Sequence, residues 1–107
     1  MSYQIKFTAT AKEDLKKLAI YIAEESKDRE VALRFINKLR ETCERLKEFP
    51  DSGANPTDRV LLALGYKFVT HNDYLLFYTV DKENKVVYIN AVFNGRMDYV
   101  KLLKSRI

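Results

Sequence analysis

The chain has 107 residues, 47% of them apolar, 32% charged and 12% aromatic, which sets one globular domain over residues 1–107 as the expectation and excludes a disordered tail or a collagen-like repeat. A lone cysteine, Cys43, excludes an intrachain disulfide and a cysteine-based metal cluster. No apolar run approaches the ~18 residues of a membrane span and the N-terminal segment lacks the apolar stretch of a secretion signal, so a cytoplasmic protein without membrane contact, metal or cofactor is expected.

The segment Tyr3-Gln4-Ile5-Lys6-Phe7-Thr8 alternates apolar and polar residues, the period of a strand with one buried face. Thr10, followed three residues on by Glu13, has the spacing of a capping box. It opens a first helix predicted from Ala11 to Ser26, with Ala11, Leu15, Leu18, Ala19 and Ile22 on one face. Ser26-Lys27-Asp28 breaks it. A second helix is predicted from Asp28 or Arg29 to about Phe49, where Pro50 stops it, with Ala32, Phe35, Ile36, Leu39, Cys43, Leu46 and Phe49 at spacings of three and four. So short a connection makes the two an antiparallel hairpin. Cys43, on the apolar stripe, reads as a small core residue.

Residues 51–58 are loop by composition. Beyond them Val60–Leu64 and Tyr66–Thr70 read as strands, His71-Asn72-Asp73 as a polar turn, and Tyr74–Val80, apolar on both phases, as a central strand. Asp81-Lys82-Glu83-Asn84 is a hairpin turn. Val86–Phe93 follows, with its odd positions, Val87, Ile89, Ala91 and Phe93, expected to meet the helices and its even face more open. Residues 96–104 are expected to form one or two helical turns. The order predicts an α+β fold: an N-terminal strand, an antiparallel helical hairpin, then a mostly antiparallel sheet of three or four strands with the helices on one face.

The net charge of +4 is mild, but residues 96–107 carry Arg96, Lys101, Lys104 and Arg106 against Asp98 alone, an end that would attract an anionic partner. Phosphate-loop, His-Glu-x-x-His and Gly-x-Ser-x-Gly motifs are absent from the sequence. Two features could carry chemistry. Arg96 follows a strand end and a glycine, with Tyr99 three residues on, and guanidinium plus phenol can grip a phosphate and stack on a base. His71, in the turn, could move a proton near neutral pH. Equally, Arg96 could pair with Asp98, and Tyr99 could pack on the sheet.

Taken together, Tyr3–Leu15, Tyr21-Ile22-Ala23-Glu24-Glu25, Leu46-Lys47-Glu48-Phe49-Pro50, Gly65-Tyr66-Lys67-Phe68, Tyr74–Val80 and Arg96–Leu103 resemble, in order and spacing, the RelE/ParE superfamily of bacterial toxins from type II toxin–antitoxin pairs. The resemblance implies a toxin held inactive by a cognate antitoxin, with one of two targets. ParE-like members poison DNA gyrase; RelE-like members cut messenger RNA on the ribosome without a metal. RelE-like cleavage would need a base, an acid and cations around the phosphate. Carried over, that chemistry falls on Arg96, His71 and Tyr99, with Lys67, Arg59 and Lys101 as further target- or phosphate-binding candidates. The length of the helical hairpin favours the ParE-like reading. The alternatives are the RelE-like nuclease and a module that binds antitoxin without being toxic.

Overall fold

The computed structural model describes residues 2–107. Strand β1 (Gln4–Phe7) leads into helices α1 (Ala9–Ser26) and α2 (Arg29–Thr42). A 3-10 turn (Glu44–Lys47) and a loop precede α3 (Arg59–Ala63), then come β2 (Lys67–His71), β3 (Tyr74–Asp81), β4 (Val86–Asn94) and α4 (Tyr99–Lys104). The four strands form one open mixed sheet in the order β1-β4-β3-β2. The β2–β3 and β3–β4 pairs are antiparallel, and β1 lies parallel to β4. The α+β order expected from the sequence is the observed one. Among the described residues no helix is long and apolar enough to cross a membrane.

Local chemistry sets the element ends, in places differently from the sequence reading. The cap of α1 is Thr8, not Thr10: its backbone is extended and its Oγ1 accepts from Ala11 N at 3.2 Å. Thr10, within α1, instead donates its hydroxyl to Asn90 O of β4 at 3.3 Å. Helix α2 starts at Arg29, within the expected bounds, with Asp28 as its cap, accepting from Glu30 N at 2.9 Å. However, α2 ends at Thr42 and not at Phe49. Over Glu44–Lys47 the chain tightens to about three residues per turn, which shifts the phase of the apolar stripe. Leu46 therefore stays buried while Phe49 swings out to 67% exposure. Val60–Leu64, expected as a strand, is instead mostly the short helix α3. The Asp58 carboxylate accepts from both Val60 N and Leu61 N, satisfying two amides that a helix start leaves orphaned.

The central difference is a β-bulge in β4. Phe77 faces Ala91 but Tyr78 faces Ile89, so Asn90 is an extra residue and the pleat inverts around it. Before the bulge Val87 and Ile89 pack under the helical hairpin, as the odd-face pattern predicts; after it, Val92 takes that face. Ala91 and Phe93 turn to the opposite face, where they meet Phe77, Leu61 of α3 and Leu103 of α4. The sheet is thus covered by α1 and α2 on one face and, in part, by α3 and α4 on the other. The two short helices add a cover to the face that the sequence pattern had left open.

Candidate functional site

A groove of ≈ 550 Å³ opens where α1 meets the end of β4 and the C-terminal segment. Its walls are mostly apolar: Leu18 and Tyr21 from α1, Tyr74 from β3, Val92 from β4, and Met97 and Leu102 from the segment beyond. Its polar lining is Asp14, Lys17, Asn94, Arg96 and Arg106. Asp14, Lys17 and Tyr21 share one stripe of α1 at helical spacing, and Tyr21 is 58% exposed.

Asp14 organises one end. Its carboxylate accepts from Val92 N at 3.0 Å, just past the bulge, and holds Arg106 in a two-point pair at 2.9 and 2.7 Å. Arg106 also donates to Asn90 O at 3.3 Å and lies 4.7 Å over the Phe93 ring. One carboxylate therefore ties α1, the bulge and the C-terminal segment together. The other two cations, Lys17 and Arg96, form no ion pair among the described residues.

Arg96 reaches the groove through the tight turn that precedes it. Gly95 N donates to Asp73 O at 2.7 Å, and Arg96 N donates to the side chain of Asn94 at 2.9 Å. A Cβ on Gly95 would lie 3.2 Å from a Leu75 methyl and 3.3 Å from Asp73 O, so the turn favours glycine. No Arg96–Asp98 pair forms; Asp98 caps α4, accepting from Lys101 N.

The other candidates named from the sequence do not line this groove. His71 is the last residue of β2 and not part of a free turn. It is opposite Tyr74, which in turn is opposite Asn94, so the three form a row across the sheet toward Arg96. Its Nδ1 is 3.1 Å from Thr42 Oγ1, and its ring stands edge-on to Phe35, a clamp between α2 and β2. Tyr99 is on the opposite face, its ring 5.7 Å from that of Phe77. Lys67 donates to Asn55 Oδ1 at 2.8 Å, away from both. Arg59 and Lys101 are exposed on α3 and α4. Cys43 is buried, and burial pushes its thiol up to about 12, so it is inert at neutral pH. No group of three or more His, Cys, Asp or Glu among the described residues is placed to hold a metal.

Asp14, Lys17 and Tyr21 were not among the site candidates from the sequence, and Arg106 entered only as one of the C-terminal cations. The spacing of the first three on α1 was a usable signal for a shared face. Nothing local connects them to Arg106, which the fold brings back from the other end of the chain.

The family described as the ParE toxin of the type II toxin-antitoxin system parDE matches residues 5–99. The chain belongs to this family. Among solved structures, this toxin is similar to the chromosomal ParDE toxin–antitoxin system from P. aeruginosa, with a TM-score of 0.70, 19% identity, and coverage of 87% of this chain and 96% of that one. It is also similar to the RelBE2 toxin–antitoxin complex from Mycobacterium tuberculosis, with a TM-score of 0.66, 26% identity and coverage of 88% and 99%. A mutant of the E. coli toxin RelE in the free state aligns over 100% of both chains at a TM-score of 0.62 and 19% identity. Among curated proteins no sequence matches the toxin. The family match makes it a toxin of the RelE/ParE superfamily, and solved structures of both ParE-type and RelE-type toxins share its fold.

Proposed function

We propose that this toxin arrests growth in the ParE manner, by binding DNA gyrase in the cytoplasm without breaking a bond of its own, and that a cognate antitoxin silences it by occupying the groove between α1 and the C-terminal segment. The observation that carries the ParE-like reading is the dispersal of the groups that RNA cleavage would need. Arg96 is in the groove, His71 is clamped to Thr42 beside Phe35, and Tyr99 packs on the other face of the sheet. General acid–base chemistry requires both proton-transfer groups within hydrogen-bond reach of one phosphate, and opposite faces of a sheet do not meet that condition.

The groove suits an antitoxin segment with an apolar side and at least one carboxylate. The apolar side would cover Leu18, Tyr21 and Met97, and the carboxylate would meet Arg96 or Lys17. The RelE-like reading, cleavage of messenger RNA on the ribosome, keeps one observation in its favour: the unpaired Arg96 at the strand end.

Induced expression tests both. Growth should stop, and co-expression of the neighbouring antitoxin gene should restore it. Loss of DNA supercoiling with translation intact supports gyrase. Rapid loss of translation with cuts in ribosome-bound messenger RNA, abolished by Arg96→Ala and reduced by Tyr99→Phe, supports the nuclease and refutes the ParE-like reading. A chain that is harmless at high expression refutes both and leaves a module that only binds antitoxin.

A further inference from the structure

The helix α3 has an unusual surface. Only Leu61 points inward, onto Phe77 and Phe93. Val60, Leu62 and Leu64 are 49%, 48% and 48% exposed. At about 100° per residue, Leu62 falls on one side of Arg59, with Val60 and the capping Leu64 on the other. The Arg59 guanidinium therefore rises from the middle of an aliphatic ridge. It makes no ion pair among the described residues, because its neighbour Asp58 is already committed to the Val60 and Leu61 amides and to Lys104 Nζ at 2.6 Å. These contacts also fix the ridge, since the cap and the Lys104 bridge tie α3 to α4. Neither Arg59 nor the three aliphatics line the groove assigned to the antitoxin.

Arginine is among the residues that carry binding energy at protein interfaces, and apolar neighbours such as Val60, Leu62 and Leu64 would exclude water from its pairing. Exposed apolar surface of this kind without its own cover marks an interaction site. Charge complementarity names the occupant. We infer that α3 docks the toxin onto its target protein through a patch in which apolar side chains surround a carboxylate, the carboxylate pairing with Arg59. The residues exposed on α3 include no aromatic ring on which a nucleobase could stack, so a protein fits the ridge better than a nucleic acid. The surface is separate from the groove, so the antitoxin can be retained while target contact is lost. This inference rests on the proposal that the toxin acts by binding.

The test compares wild type with Arg59→Glu and Leu62→Ser. Both positions are exposed, and thermal melts of the purified toxin–antitoxin complexes verify that each variant folds. Two readouts are taken: the toxin dose that arrests growth, and co-purification with the antitoxin. The expected result is a rise of ~30-fold or more in that dose for each variant, with antitoxin co-purification unchanged. Loss of antitoxin binding in either variant overturns the inference, since the ridge would then belong to the antitoxin. Arrest abolished by Arg59→Glu but untouched by Leu62→Ser overturns it in favour of a polyanion. Undiminished arrest by both variants overturns it while leaving the proposed function intact. A wild-type toxin that arrests nothing overturns both.

Discussion

Replacing Asp14 with alanine removes the acceptor that joins three parts of the molecule. The magnitude follows from what is lost. The Val92 N–H donates to a charged oxygen at 3.0 Å, and a hydrogen bond to a charged group contributes about 2 kcal/mol. The Arg106 pair is two-pronged but its side chains keep 27% and 12% of their exposure, so solvent screening limits it to about 1 kcal/mol. Together these are about 3 kcal/mol. Unfolding entropy scales at about 2.1 cal/mol/K per residue, so a domain of this size loses about 4 °C per kcal/mol and the midpoint should fall by about 13 °C. Scanning calorimetry of the wild type, Asp14→Ala, Arg106→Ala and the double variant measures both the drop and the coupling. The double variant should fall short of the sum by about 1 kcal/mol. A drop under about 3 °C for Asp14→Ala, or strict additivity with Arg106→Ala, would refute the view that one carboxylate holds the end of the groove.

Tyr78, fully buried under the hairpin, donates its hydroxyl to Pro50 O at 2.7 Å and accepts from Gly53 N at 2.9 Å, so Tyr78→Phe should cost about 2 kcal/mol in denaturant titration. Burial raises the phenol above its ordinary value of 10.0, so the folded state favours the neutral ring. Its contribution is complete below the unfolded value and fades as pH climbs through the folded one; the phenylalanine variant should lack that alkaline decline. A Cβ at Gly53 would fall 2.5 Å from Tyr78 Oη and 2.8 Å from the backbone oxygen of Phe68, so Gly53→Ala should destabilise by about 1–3 kcal/mol, read from the same titration. The hydrogen bond from Lys104, with help from the Leu61 amide, lowers the Asp58 carboxyl below 3.8. Its support of α3 is present above the ordinary carboxylate value and is lost as pH falls through the lowered one. NMR titration should show the Val60 and Leu61 amides moving at a higher pH in Lys104→Met than in wild type.

Much of the fold was legible because it is written in local periodicity. The two-residue alternation of Tyr3 to Thr8, the three-and-four spacing of Leu15, Leu18 and Ile22, and the doubly apolar run from Tyr74 to Val80 each demand one kind of element, whatever surrounds them. The order strand, two helices, then strands leaves an α+β arrangement as the natural way to bury them. Reading Val60 to Leu64 as a strand failed because five apolar residues suit either element, and the arbiter was the cap at Asp58. Of the groove, the sequence pointed to Arg96, by its position after a strand end and a glycine. His71 and Tyr99 share its general region of the chain, yet strand register and sheet face place one in a clamp and the other in a second core.

What the amino-acid sequence determined alone was therefore most of the elements, α3 excepted, the stripes that α1 and α2 bury, and a cationic C-terminal end. The tertiary structure decided how those pieces converge. A single extra residue at Asn90 inverts the pleat of β4, so that Val92 and Phe93 serve different cores and a second face acquires its own cover. That inversion also leaves the Asn90 carbonyl for Thr10 and Arg106 to meet, and brings the Val92 amide to Asp14. A bulge has no short-range signature strong enough to read in Val-Tyr-Ile-Asn-Ala-Val, because its stabilising partners are supplied by residues from both ends of the chain.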